Sequence, residues 1–135
     1  MNKNAAAAYQ SQQFDNAPPI KILQMLIAGA IRYLKIAQKA EVKSEEYRTH
    51  LRMADEIIAE LRVSLDHEPS PELAANLENL YLFMQRELSH AMLEGETSGI
   101  ANSIRIMETL LEAWKGVNIA LKDSPPESSG LRNAG

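Results

Sequence analysis

Cysteine is absent from the chain, which removes disulfide frameworks, zinc-thiolate sites and thiol nucleophiles at once and leaves nothing that argues for an oxidising compartment. Long hydrophobic runs are missing too. No window approaches the ~20 apolar residues of a membrane-spanning helix, and the alanines at 5–8 are cut off by Tyr9, Gln10 and Ser11, too soon for the apolar centre of a secretion signal. Positive charge is not in excess: 14 Lys and Arg face 18 Asp and Glu, a net charge of -4, so nucleic acid is not the expected principal partner. Aromatics are few, with two Phe, one Trp and four Tyr against six Met, which makes an apolar surface able to adapt its shape. No segment alternates with the period of a strand, and no glycine-rich phosphate loop follows one. The expectation is one cytosolic domain, since 135 residues suffice for a core without staples.

What is present is helical periodicity in four blocks. Residues 1–17, rich in Ala, Gln and Asn, predict a mobile N-terminal segment that carries Tyr9 and Phe14 as aromatics able to dock in a groove. Pro18 and Pro19 open the first long helix, where proline loses nothing by lacking an amide proton. Ser44 then reads as an N-cap followed by Glu45 and Glu46, acids that suit the positive end of a helix. The second helix puts Tyr47, Leu51, Ala54, Ile58, Leu61 and Leu65 on one stripe, with Met53 and Ile57 on its shoulder. Pro69 ends it, and Ser70-Pro71-Glu72 starts the third, whose expected core stripe is Leu73, Leu77, Leu80, Met84, Leu88 and Ala91. Gly95 and Gly99 bracket the turn into a fourth helix, with Ile100, Ile104, Met107, Leu111 and Trp114 inward. Residues 123–135, rich in Pro, Ser and Gly, read as a disordered tail. Four helices joined by short loops, over residues 18–122, predict an antiparallel up-down four-helix bundle.

Chemistry finds little support. Glu87 and His90 match half of the Glu-x-x-His pairing used by di-iron bundles, but Tyr47 precedes His50 and Ser64 precedes His67 at the same spacing, so a second copy is lacking. Glu87 and His90 read as solvated, and His50 as a hydrogen-bonded structural histidine. No catalytic residue, cofactor or metal site is assigned. A ferritin-like metal-binding bundle is the alternative, and a homodimer seam a third use of the same surface.

The first helix carries more apolar surface than one core requires. Leu23, Leu26, Ile27, Ala30, Leu34 and Ala37 make one stripe, and Ile22, Met25, Gly29, Tyr33 and Ile36 a second beside it. The fourth helix repeats the pattern, with Ser103, Ile106, Leu110, Ala113 and Val117 parallel to its core stripe. A groove between first and last helices, lined by these second stripes and by Met53 and Ile57, would take the apolar face of a partner helix.

Several short runs carry a family likeness: Tyr9-Gln10; Pro19 with Leu23-Gln24-Met25-Leu26 and Gly29-Ala30; Ile57-Ile58-Ala59-Glu60-Leu61 with Ser64-Leu65-Asp66; Ala74-Ala75-Asn76-Leu77; Leu80-Tyr81-Leu82-Phe83-Met84; and Leu110-Leu111 ahead of Trp114. In this order and spacing, over roughly residues 9 to 120, the chain resembles the FliS family of flagellar secretion chaperones. The resemblance implies a helical bundle that holds the disordered C-terminal part of flagellin in the bacterial cytosol, prevents its premature polymerisation and delivers it to the flagellar type III export gate protein. It implies Tyr9 as the residue facing that gate. The flagellin-contacting set, Ile22, Met25, Gly29, Tyr33, Ile36, Met53, Ile57, Ile106, Leu110, Ala113 and Val117, comes from periodicity alone. Ile27, where the family often has tyrosine, Leu82 and the run Met92-Leu93 depart from the family pattern and bear on client specificity.

Overall fold

A computed structural model describes residues 19–123, and side chains from 20 to 116. Four helices occupy this span: α1 (Pro19–Lys39), α2 (Glu45–Val63), α3 (Pro71–Glu94) and α4 (Ser98–Asp123). Tyr9, Phe14 and the segment expected to be mobile lie outside the described residues, as does the side chain of Val117. Of the tail expected over 123–135, Asp123 still belongs to α4 and the rest lies outside the described residues.

Most ends form for the reasons the sequence suggests, but α2 stops at Val63, before Leu65 of its expected stripe and well short of Pro69. Ser44 Oγ accepts a hydrogen bond from the Tyr47 amide at 3.2 Å, and Ser70 Oγ from that of Leu73 at 3.4 Å, each satisfying one amide that has no partner inside its helix. Gly95 ends α3 at φ 75°, in the left-handed region where a side chain is strained. Each helix packs on its neighbours in sequence, and α4 closes the ring against α1. Cross-helix contacts fix the directions. Tyr47, at the start of α2, donates its hydroxyl proton to the carbonyl of Ala91, near the end of α3, at 2.8 Å. Gln24, early in α1, donates to the carbonyl of Trp114, late in α4, at 2.9 Å. The described residues form an all-α, antiparallel up-down four-helix bundle.

Its core runs the length of the ring: Ile27, Ala30 and Leu34 of α1, Tyr47, Leu51 and Ile58 of α2, Tyr81, Met84 and Leu88 of α3, Ile100 and Met107 of α4. Each fully buried aliphatic side chain contributes about 1.5–3 kcal/mol relative to exposure. Two details depart from periodicity. In α3 it is Tyr81, 2% exposed, that faces the axis and Leu80, 36% exposed, that does not; the larger ring takes the central place of the two neighbours. In α1, Ile31 joins the core although it sits on neither expected stripe. Burial also pushes the Tyr81 phenol up to about 12 and raises that of Tyr47, so both rings stay neutral at any physiological pH.

Candidate functional site

The four seams of the ring differ in chemistry, and the difference follows from which flank of each helix meets which neighbour. Between α2 and α3 the seam is polar. Gln85 donates to Asp55 at 3.3 Å and accepts from Arg62 at 3.0 Å, while Glu78 lies 3.7 Å from Arg62 and 3.8 Å from His67. Between α1 and α4 the seam is also polar, held by Gln24 on the Trp114 carbonyl and by Lys35 with Glu108 at 3.2 Å. The groove expected between first and last helices is therefore bridged by polar groups, because the second stripes of α1 and α4 turn away from each other.

The α1 stripe turns toward α2. A methyl placed on Gly29 would meet Ile57 Cδ1 at 3.5 Å, and the Tyr33 ring lies 5.9 Å from that of His50, tilted by 45°. His50 Nδ1 is 2.8 Å from the Glu46 carbonyl, so the histidine is hydrogen-bonded as expected. Ile22 and Gly29 are buried, whereas Met25, Tyr33, Ile36, Met53 and Ile57 are half-buried along this seam and its outer flank.

The α4 stripe turns toward α3. Gly99, on the same side of α4 as Ile106, Leu110 and Ala113 by helical spacing, comes so near α3 that an added methyl would sit 2.7 Å from Glu87 Cβ. Glu87 is thus half-buried rather than solvated, while His90 is exposed and paired with Glu94 at 3.2 Å. Ile106 and Leu110 are half-buried and Ala113 is exposed. By helical spacing, half-buried Phe83 and partly exposed Leu80 share the flank of α3 that carries Glu87. Neither was among the expected site residues. Phe83 falling off its core stripe was the available signal.

Two apolar seams, on opposite sides of the ring, thus alternate with two polar ones. Among the described residues, no three His, Asp or Glu side chains converge to hold a metal ion, and no helix is long and apolar enough to cross a membrane.

The polar α2–α3 seam has a pH signature. Burial raises the Asp55 carboxyl above its ordinary value of 3.8, the Gln85 hydrogen bond opposes the rise, and neighbouring Glu56 adds to it. The folded state then holds this proton more tightly than the unfolded chain, so ionised Asp55 subtracts stability as the pH climbs above 3.8. Asp55→Asn keeps an oxygen for Gln85 and removes the charge. Differential scanning calorimetry is expected to find a raised melting temperature at pH 7 and little change near pH 3; a lowered one at pH 7 would mean the carboxylate's hydrogen bonds outweigh its burial.

Residues 1–121 match the family described as flagellar protein FliS. The flagellar secretion chaperone FliS of Vibrio cholerae serotype O1 is 33% identical over 125 residues, spanning 90% of this chain and 86% of its own. That of Campylobacter jejuni is 32% identical over 120 residues, 87% of this chain and 93% of its own. That of Bacillus subtilis is 28% identical over 115 residues, covering 84% and 85%. A ring of four helices matched along nearly its whole length by proteins of one kind places this chain in the FliS family of flagellar secretion chaperones.

Proposed function

We propose that this chain is a cytosolic, non-enzymatic export chaperone that binds the C-terminal region of flagellin along its two apolar seams and delivers it to the flagellar type III export gate. Family membership supports the reading. The observation that carries it is the pair of seams with half-buried apolar side chains, Tyr33, Met53 and Ile57 on one and Phe83, Ile106 and Leu110 on the other. A segment too poor in structure to fold alone gains apolar burial by wrapping such a surface. Sequestration needs no chemistry: terminal flagellin segments held on a chaperone are withdrawn from polymerisation by mass action. Tyr9 is the gate-facing residue in this proposal.

Isothermal titration calorimetry with a flagellin C-terminal fragment tests it. Saturable binding in the micromolar range or tighter, with a negative heat-capacity change from apolar burial, is expected for the natural chain and for Tyr9→Ala alike, the latter losing secretion in cells. Absence of saturable binding at micromolar concentrations would sink the client assignment, and loss of affinity in Tyr9→Ala would move that residue from delivery into the client site. A second copy of the chain is the competing occupant of the seams; light scattering that shows a dimer dissociating when the fragment is added would identify it.

A further inference from the structure

Helix α1 carries Lys21, Arg32, Lys35 and Lys39 and no acidic residue, within a chain of net charge -4. All four are exposed. Three of them rim an open depression of about 330 Å³ whose apolar lining is Ala28, Ile31 and Ile36. That volume is at the bottom of the range of small-molecule sites, enough for a few side chains rather than a cofactor. The lining runs from residue 28 to residue 39, about 16 Å of helix at 1.5 Å per residue, or three turns. It faces outward beside the α2 seam, and Ile36 and the Arg32 guanidinium, 3.9 Å from a methyl placed on Gly29, mark the border between the two.

We infer that this outward face of α1 is a second docking site, for an acidic amphipathic helix of a partner protein other than the bound client. Apolar side chains of that helix enter the depression, and its carboxylates meet Arg32, Lys35 and Lys39. Among the described residues no carboxylate lies within ion-pair distance of Arg32 or Lys39, while Lys35 reaches only Glu108, a half-exposed pair that a better placed carboxylate can replace at little cost. The Arg32 guanidinium rests 5.6 Å from the centre of the Tyr33 ring, which holds a planar donor ready for a carboxylate. A membrane surface fits less well. Interfacial helices insert protruding Trp, Phe or Leu side chains into the lipid, whereas the apolar groups here form the floor of a hollow, and the one aromatic of α1, Tyr33, is turned to His50.

The test uses the full-length chain and a labelled five-turn helical probe peptide with leucine at three- and four-residue spacing and glutamate elsewhere. Fluorescence anisotropy is expected to show saturable micromolar binding that weakens with added salt and persists in the presence of a saturating flagellin C-terminal fragment. The pair Arg32→Glu and Lys39→Glu, both at exposed positions, is expected to weaken it about tenfold or more. The same charge change at Arg52 and Arg86, on the outer faces of α2 and α3, is expected to change it less than about twofold. Three results overturn the inference: no saturable binding, equal sensitivity to both pairs, or displacement of the probe by the flagellin fragment, which would make this part of the client site. Binding to vesicles of phosphatidylcholine and phosphatidylglycerol, lost in Arg32→Glu/Lys39→Glu while the peptide fails to bind, would assign the face to a lipid surface instead. Because the flagellin fragment is titrated separately, failure of this inference leaves the client assignment standing.

Discussion

Ile106→Glu combined with Leu110→Glu is expected to leave a folded helical bundle that has lost about a hundredfold or more of its affinity for a flagellin C-terminal fragment. Both side chains are half-buried on the side of α4 turned to α3 and pack against the core without being enclosed by it. A glutamate at either site can turn its carboxylate to water along the open flank, so the cost to folding is modest. In a complex, the same carboxylates would be sealed under the client. Two aliphatic side chains each contribute roughly 1.5–3 kcal/mol when fully covered, and a loss of about 2.7 kcal/mol already corresponds to a hundredfold. Met107→Glu is the contrast, one residue along the helix. Met107 has no exposed surface, and a charge there has no route to solvent, so the far-ultraviolet circular dichroism of that variant should collapse. Full client affinity in the folded double variant would remove the α3–α4 seam from the client site. Unfolding of the double variant would send the question to Leu110→Ala, whose smaller change should keep the fold and still weaken binding.

Helix ends were legible because they rest on local chemistry. Ser44 and Ser70 cap the helices they were expected to cap, Gly95 stands where α3 stops, and the α2 stripe is buried from Tyr47 to Leu61 as its spacing predicts, whereas α2 ends at Val63, short of Leu65 and Pro69, because its last turn closes on Ser64. What periodicity could not supply is the direction from each helix to its neighbours. A stripe repeated every three or four residues defines a face of one helix, but whether that face meets the axis, the preceding helix or the following one depends on how the ring closes. Leu80 and Tyr81 are adjacent candidates for one inward place, and only the packing of α2 and α4 against α3 selects the tyrosine. The same non-local choice turned the second stripes of α1 and α4 toward α2 and α3 rather than toward each other. Polar residues on the other flank held a clue. Gln24 and Lys35 on α1 and Glu108 on α4 share the sides that meet, and a polar seam was the natural consequence of pairing them.

The two glycines that sit within helices on the candidate seams should respond to alanine with opposite signs. Alanine is favoured over glycine inside a helix by roughly 1 kcal/mol. At Gly29 the added methyl lies 3.5 Å from Ile57 Cδ1, an ordinary contact, so Gly29→Ala is expected to raise the melting temperature by a few degrees. At Gly99 the methyl would sit 2.7 Å from Glu87 Cβ and 2.8 Å from its Oε1. The carboxylate can swing aside, but the β-carbon moves only with the α3 backbone, and such overpacking costs about 1–3 kcal/mol. Gly99 is also the second residue of α4, where the propensity gain is smaller than in a helix interior, so the clash wins and Gly99→Ala is expected to melt several degrees lower. Relief of the clash requires α3 and α4 to separate, which widens the seam between them. Client affinity should therefore fall in Gly99→Ala along with stability, while Gly29→Ala stays folded to a higher temperature. A melting temperature for Gly99→Ala equal to or above that of the natural chain would show that the two helices are not held together as closely as the 2.7 Å approach requires, and the α3–α4 seam would lose the geometry on which its proposed role depends.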